Sequence, residues 1–234
     1  MVNPDLLSFV RKDELPEKFV NVVHEFADHF KSPREYVPDF CTILTRSWRW
    51  NHSTLQDKLT TCLERFGKHS GRKKITEMIR RAFSLCENDD ELKILRGALL
   101  EALVIGCHGG VQTLSSPNVG WGAQVILRNN IIRYRCTKKI DDNCRNRSTV
   151  DFGIWDGYHG KFFECKVHPD GIGCKEINYL ETLSQTLKEN NISHELFLVC
   201  AESIDSIRQR ADILGLGLKF KLIGTKELQR MVAS

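Results

Sequence analysis

The chain reads Thr149-Val150-Asp151-Phe152-Gly153-Ile154-Trp155-Asp156-Gly157 and then, after Tyr158-His159-Gly160, Lys161-Phe162-Phe163-Glu164-Cys165-Lys166-Val167. Both runs are dense in the aromatic and branched residues that favour strands, and two acids and a lysine interrupt them. Side chains alternate along a strand, so Phe163, Cys165 and Val167 share one face while Glu164 and Lys166 project together from the other. The Asp-Gly step and the second glycine predict a tight hairpin between the runs. Pairing Asp156 with Lys161 would set Asp151 opposite Lys166, with Glu164 as a diagonal neighbour on the same face. Two carboxylates and an amine then share one patch of a sheet, where unpaired charge is costly. Two carboxylates this close repel unless a cation joins them, and hard oxygen ligands suit Mg²⁺ or Mn²⁺.

Asp151, the twelve intervening residues, and Glu164-Cys165-Lys166 resemble the D…E-x-K signature of the restriction-endonuclease-like, or PD-(D/E)xK, nuclease superfamily. That resemblance implies an α/β core of a helix, a three-stranded meander, a further helix and a strand, with a mixed sheet. Matching parts occur in order. Arg96–Ile105 reads as an apolar helix carrying Glu101, Gly120–Leu127 as the first strand, Ile177–Glu189 as a helix, and Glu195–Ala201 as a buried strand. Val150 stands where the family's name implies proline.

The resemblance further implies Asp151, Glu164, Lys166 and Glu101 as catalytic residues. Asp151, Glu164, Glu101 and the backbone carbonyl of Cys165 would be ligands of Mg²⁺, for which Mn²⁺ could substitute. The ion would activate water and stabilise charge on the scissile phosphate, with Lys166 positioning that water. The expected activity is Mg²⁺-dependent cleavage of DNA of the restriction or repair type, by a homodimer if both strands are cut. An RNA-cutting or signal-activated defence nuclease is the alternative within the fold. A nucleic-acid-binding protein with an inert core is the alternative outside it.

The charge distribution fits a phosphate-backbone partner. Net charge is only +4, but Arg46 to Arg81 holds ten Lys and Arg against three acids, and Arg128 to Arg147 holds seven against two. Such blocks are the footprint expected of nucleic-acid binding. Arg133, Arg135, Lys138, Lys139, Arg145 and Arg147 would rim the site, and Arg72, Lys73 and Lys74 would supply contacts from the helical region. Trp48-Arg49-Trp50 could stack on bases or anchor a helical core.

At 234 residues, 41% hydrophobic and 27% charged, the composition is that of a globular protein, and no apolar run reaches membrane-spanning length. The start has neither a basic leader nor an apolar core after it, so a cytoplasmic location is expected. Nine cysteines without a CxxC pair suit a reducing compartment. Cys136 and Cys144, near His108 and His159, show no tetrahedral zinc spacing. Residues 1–92 read as a basic helical module without strands, with helices near 15–31, 54–67 and 73–87, and residues 93–234 as the nuclease-like core. A helix to Leu214, a strand over Lys219–Gly224 and a helix over Lys226–Val232 close the chain.

Overall fold

The computed structural model describes residues 6–69, 71–136, 146–214 and 219–233. The fold is α/β, and among the described residues it comprises eight α-helices and a mixed, open seven-stranded sheet. The chain divides into two compact units.

The sheet unit contains the stretch to Glu14, Gln112–Cys200 and Ile204–Ile223. Its strands are β1 (Leu7–Arg11), β2 (Val119–Leu127), β3 (Asn130–Ile131), β4 (Thr149–Trp155), β5 (His159–Lys166), β6 (Ser193–Cys200) and β7 (Lys221–Ile223). They run β1-β2-β4-β5-β6-β7, with β3 paired to β2 off that path. β1, β2, β4 and β5 are antiparallel neighbours, whereas β6 and β7 join in parallel. Helix α6 (Cys174–Glu189) makes the crossover that a parallel β5–β6 pair requires. Its Ile177, Leu180, Leu183 and Leu187 pack with Phe162, Leu196, Leu198 and Cys200 of the sheet and with Ile207 of α7 (Ile204–Ile213).

β1 corrects the expectation that the first 92 residues hold no strand. Leu7 alone is buried in that five-residue segment, so its alternation gives little signal. Its place is fixed instead by the ladder to β2, from Leu7↔Leu127 to Arg11↔Ala123.

The hairpin register also differs from expectation. Ile154, not Asp156, pairs with Lys161, and Trp155 pairs with Gly160. The cause is local. The Asp156 carboxylate accepts the N–H groups of Tyr158 and His159 (2.8 and 2.7 Å), Asp156 N–H donates to His159 O, and Gly157 takes φ 94°. This makes a tight turn two residues shorter than expected. The shift is two residues in pairing sum, so side-chain parity survives and the acids keep their face.

The helical unit contains Leu15–Val111, Ala201–Ser203 and Gly224–Ser234. It is built from α1 (Glu17–Phe30), α2 (Val37–Ser47), α3 (Leu55–Phe66), α4 (Lys73–Ser84), α5 (Asp89–Cys107) and α8 (Thr225–Ala233). Phe19, Val22, Val23, Phe26 and Phe30 form the buried stripe of α1. Close approach to α5 is possible because Gly106 has no Cβ: one placed there would lie 2.7 Å from Phe30 Cβ and 2.9 Å from Ala27 O. Asn88 caps α5, its Oδ1 accepting the N–H of Glu91 at 2.9 Å. Trp48 and Trp50 belong to this unit's packing, under the Arg96 guanidinium and beside the Phe83 ring respectively. Among the described residues no helix is long and apolar enough to cross a membrane, and the cysteines form no disulfide.

Candidate functional site

The β4–β5 ladder ends at Phe152↔Phe163, and the same register carried one step further sets Asp151 across from Glu164. Here the Asp151 carboxylate enters the ladder: its Oδ2 accepts the Cys165 N–H at 2.7 Å. On the other side, Glu164 and Lys166 lie beside Leu198 and Cys200 of β6. Apolar neighbours and the overlying α6 leave the Glu164 side chain 0% exposed. The expected trio of Asp151, Glu164 and Lys166 therefore stands together on one sheet face. Lys166 Nζ lies 2.6 Å from Glu164 Oε1 and 4.0 Å from Asp151 Oδ2.

Two further residues complete the cluster. Glu176 is the third residue of α6, and its Oε2 accepts the N–H of Gly173, the N-cap, at 3.2 Å. This cap holds the carboxylate over the sheet, and the helix N-terminus favours its charge. Glu176 Oε1 lies 3.5 Å from Arg147 Nη1 and 3.7 Å from Lys166 Nζ. Arg147 binds most of the group. Its Nη2 donates to Asp151 Oδ1 (3.0 Å) and to Glu164 Oε2 (2.7 Å), and its Nε donates to Thr149 O (3.1 Å). A backbone bridge to Tyr134 anchors the residue. Three carboxylates thus face two largely desolvated cations, Arg147 and Lys166, with the more exposed Lys175 ammonium 3.6 Å from Glu176 Oε1.

Burial pushes the Glu164 carboxyl up to about 7, with Arg147 and Lys166 pulling against it and Asp151 and Glu176 adding to it. Burial alone would lower the Lys166 ammonium and the Arg147 guanidinium. The Glu164 and Asp151 carboxylates outweigh it and hold both groups charged, above their ordinary range. Burial also raises the Tyr179 phenol, on which Arg147 and Glu164 act as well. The Tyr179 hydroxyl is buried with no hydrogen-bond partner among the described residues.

A groove of about 530 Å³ opens beside the cluster, lined by Gln124, Arg133, Tyr134, Arg135, Asn146, Arg147 and Ser148. Arg133 and Arg135 are exposed. Lys138, Lys139 and Arg145, expected in the same rim, lie outside the described residues, as does Cys144.

The remaining expected residues belong to the helical unit. Glu101 sits half-buried on α5. Lys73 and Lys74 are exposed in the first turn of α4. Arg72 pairs with Asp39 at 2.8 Å and lies over the rings of Phe66 and Tyr36, so its guanidinium has a structural role there. In the sheet unit, Gln185 and Glu181 of α6 are engaged away from the cluster, Gln185 donating to Glu189 and Glu181 meeting Lys219. The sequence signal that would have found Glu176 is the Gly173-x-x-Glu176 capping pattern before an apolar run.

The donor set can be tested against a divalent cation. The oxygens of Asp151 and Glu164 already converge on one positive atom, Arg147 Nη2, and are the hard ligands that Mg²⁺ takes. Among the described residues no group of three or more His, Cys, Asp or Glu is disposed to hold a metal. Two carboxylates are ligands of the right chemical type for such an ion, which would have to displace the guanidinium from between them. Cys165, whose carbonyl the family resemblance offers as a ligand, meets Asp151 through its N–H.

No protein-family model matches the chain, and no curated protein matches it. Among solved structures the chain is similar to protein VC1899 from Vibrio cholerae, with a TM-score of 0.42 and 14% sequence identity. The similarity covers 97% of this chain and 57% of that one, so the chain spans a little over half of its length.

Proposed function

We propose that this protein is a divalent-metal-dependent nuclease with a restriction-endonuclease-like core, hydrolysing phosphodiester bonds of DNA. The observation that carries the reading is the convergence of Asp151, Glu164 and Lys166 on one sheet face, beside a groove rimmed by arginines. The order of elements supports it: α5, the β2-β4-β5 meander, α6 and the parallel β6.

In this reading Asp151 and Glu164 would hold Mg²⁺ or Mn²⁺, with the Cys165 carbonyl and Glu176, the third acid of the cluster, completing the ligands. The ion would supply positive charge to the phosphate and acidify water. Asp151 is held for that task by the Cys165 N–H. Lys166 stays protonated beside the carboxylates, which suits it to orient the attacking water and to stabilise negative charge rather than to remove a proton. Arg133 and Arg135 draw the phosphate backbone into the groove through charge. The buried Tyr179 hydroxyl is a donor left over beside the carboxylates, available to a water in the site. Cutting both strands of a duplex calls for two such sites, hence a homodimer.

The test offers the purified protein supercoiled, linear and single-stranded DNA, and RNA of equal length, with Mg²⁺, Mn²⁺ or EDTA. DNA cleavage that needs the ion and is lost in Asp151→Asn and Glu164→Gln is expected. Cleavage of none of these substrates, or cleavage unchanged in both variants, overturns the proposal, and preference for RNA moves it to the RNA-cutting alternative. A second reading, a nucleic-acid-binding protein whose cluster is an ionic staple, is favoured by Arg147 Nη2 standing between the two carboxylates. It requires binding without cleavage in Mg²⁺, Mn²⁺ and Ca²⁺ alike.

A further inference from the structure

Arg147 faces two kinds of anion. Its Nη2 holds the point where Asp151 Oδ1 and Glu164 Oε2 converge, at 3.0 and 2.7 Å. The same side chain lines the groove with Arg133, Arg135 and Ser148. A planar guanidinium matches a pair of carboxylate oxygens or a phosphate with the same fork of donors. Its backbone is fixed by the bridge to Tyr134 and needs no movement for the head group to turn from one partner to the other. Lys166 meets the same three acids but is not among the residues that line the groove, so of the two cations Arg147 is the one placed to exchange partners.

A divalent ion and Arg147 Nη2 compete for the same two carboxylates. Two positive centres at that point repel strongly in so desolvated a site, so the ion enters as the guanidinium leaves. The groove beside it is where a guanidinium released from carboxylates finds a phosphate. Building on the metal-dependent reading above, we propose that Arg147 is a positioning residue that exchanges partners. In the resting protein it neutralises Asp151 and Glu164; when the ion binds, it turns onto a backbone phosphate in the groove. Metal and nucleic acid then each favour binding of the other, by the same factor. An ion alone meets a competitor, and a phosphate alone finds the guanidinium occupied.

The experiment measures Mn²⁺ binding by electron paramagnetic resonance in the full chain and in Arg147→Gln, Arg147→Lys and Asp151→Asn. Each is measured alone and with a short phosphorothioate DNA strand. Without DNA, Arg147→Gln is expected to bind Mn²⁺ about tenfold more tightly than the unmodified protein, because the competitor is gone. Arg147→Lys, a point charge that cannot bridge both carboxylates, falls between them and carries the comparison if circular dichroism shows Arg147→Gln to be unfolded. The DNA strand tightens Mn²⁺ binding to the unmodified protein at least about fivefold, the lower end of ordinary coupling, and has little effect in Arg147→Gln.

Equal or weaker Mn²⁺ binding in both Arg147 variants, with binding still lost in Asp151→Asn, overturns the exchange and leaves the metal site standing. A purely structural arginine gives that result. Absence of Asp151-dependent Mn²⁺ binding from the unmodified protein and both Arg147 variants overturns the metal reading, and the exchange with it.

Discussion

Replacing Glu164 by glutamine removes one charge and almost no volume from the centre of the cluster. Glu164 is fully buried and bonded to Lys166 at 2.6 Å and to Arg147 at 2.7 Å. Burial nevertheless raises its carboxyl from 4.5 to about 7. Between those values the native protein holds a proton that the unfolded chain has released. The stability contributed by this group is therefore fully present below pH 4.5 and is lost as pH rises through 7. At about 1.4 kcal/mol per pH unit, the loss between pH 5 and pH 8 is on the order of 2–3 kcal/mol. Glutamine cannot ionise, so Glu164→Gln keeps only the pH dependence of the other groups. It also leaves both cations one partner short, which adds an offset across the whole range. The assay is hydrogen exchange of the β4–β5 amides at pH 5, 6, 7 and 8, after correction for intrinsic exchange rates. The unmodified protein should lose on the order of 2–3 kcal/mol more than the variant over that interval. Parallel profiles would show that Arg147 and Lys166 keep Glu164 ionised throughout and would refute the reasoning.

In the helical unit, His29 is buried against Tyr36 and its imidazole is lowered to about 4 by burial, aided by Arg34 and Lys74. A lowered histidine contributes stability that is present above pH 6.5 and lost as pH falls through 4. The unit should lose about 2 kcal/mol from this group between pH 7 and 4.5, and urea midpoints of His29→Asn should lack that component. Gly106→Ala places a Cβ 2.7 Å from Phe30 Cβ and 2.9 Å from Ala27 O. The clash should outweigh the better helix propensity of alanine and cost about 1–3 kcal/mol in thermal or urea unfolding. Glu176→Gln retains an acceptor for the Gly173 N–H but removes one of the three negative charges. Far-ultraviolet circular dichroism should be unchanged, while Mn²⁺ affinity falls about 10- to 100-fold.

The site was legible where a strand's two-residue period decided it. Glu164 and Lys166 had to share a face, and a register off by an even step still left Asp151 beside them. The partners from outside the hairpin were not legible, because their positions depend on how separate elements meet. Arg147 read as one member of a basic block, yet it meets the acids where β4, β5 and the start of α6 converge. Glu176 was hidden because α6 begins at Cys174, three residues before the apolar spacing starts at Ile177. In the helical unit, α2 falls between the expected helices, and its Pro38 lies in the first turn, where a missing N–H costs nothing. Arg72 likewise read as a nucleic-acid contact until Asp39 and two aromatic rings were placed around it. Charge counting finds where cations are concentrated along the chain; the fold decides which of them are already paired.

The central claim is that Asp151, Glu164 and Lys166 form a hydrolytic site rather than an ionic staple. The most direct measurement is cleavage of a supercoiled plasmid by the purified protein in Mg²⁺, compared with EDTA and with Asp151→Asn. Asparagine keeps an acceptor for the Cys165 N–H, so the sheet is preserved while a charged ligand is lost. The account predicts nicked or linear DNA with the unmodified protein in Mg²⁺ and intact plasmid in both controls. Plasmid left intact by folded, unmodified protein, or cut equally by Asp151→Asn, would contradict it.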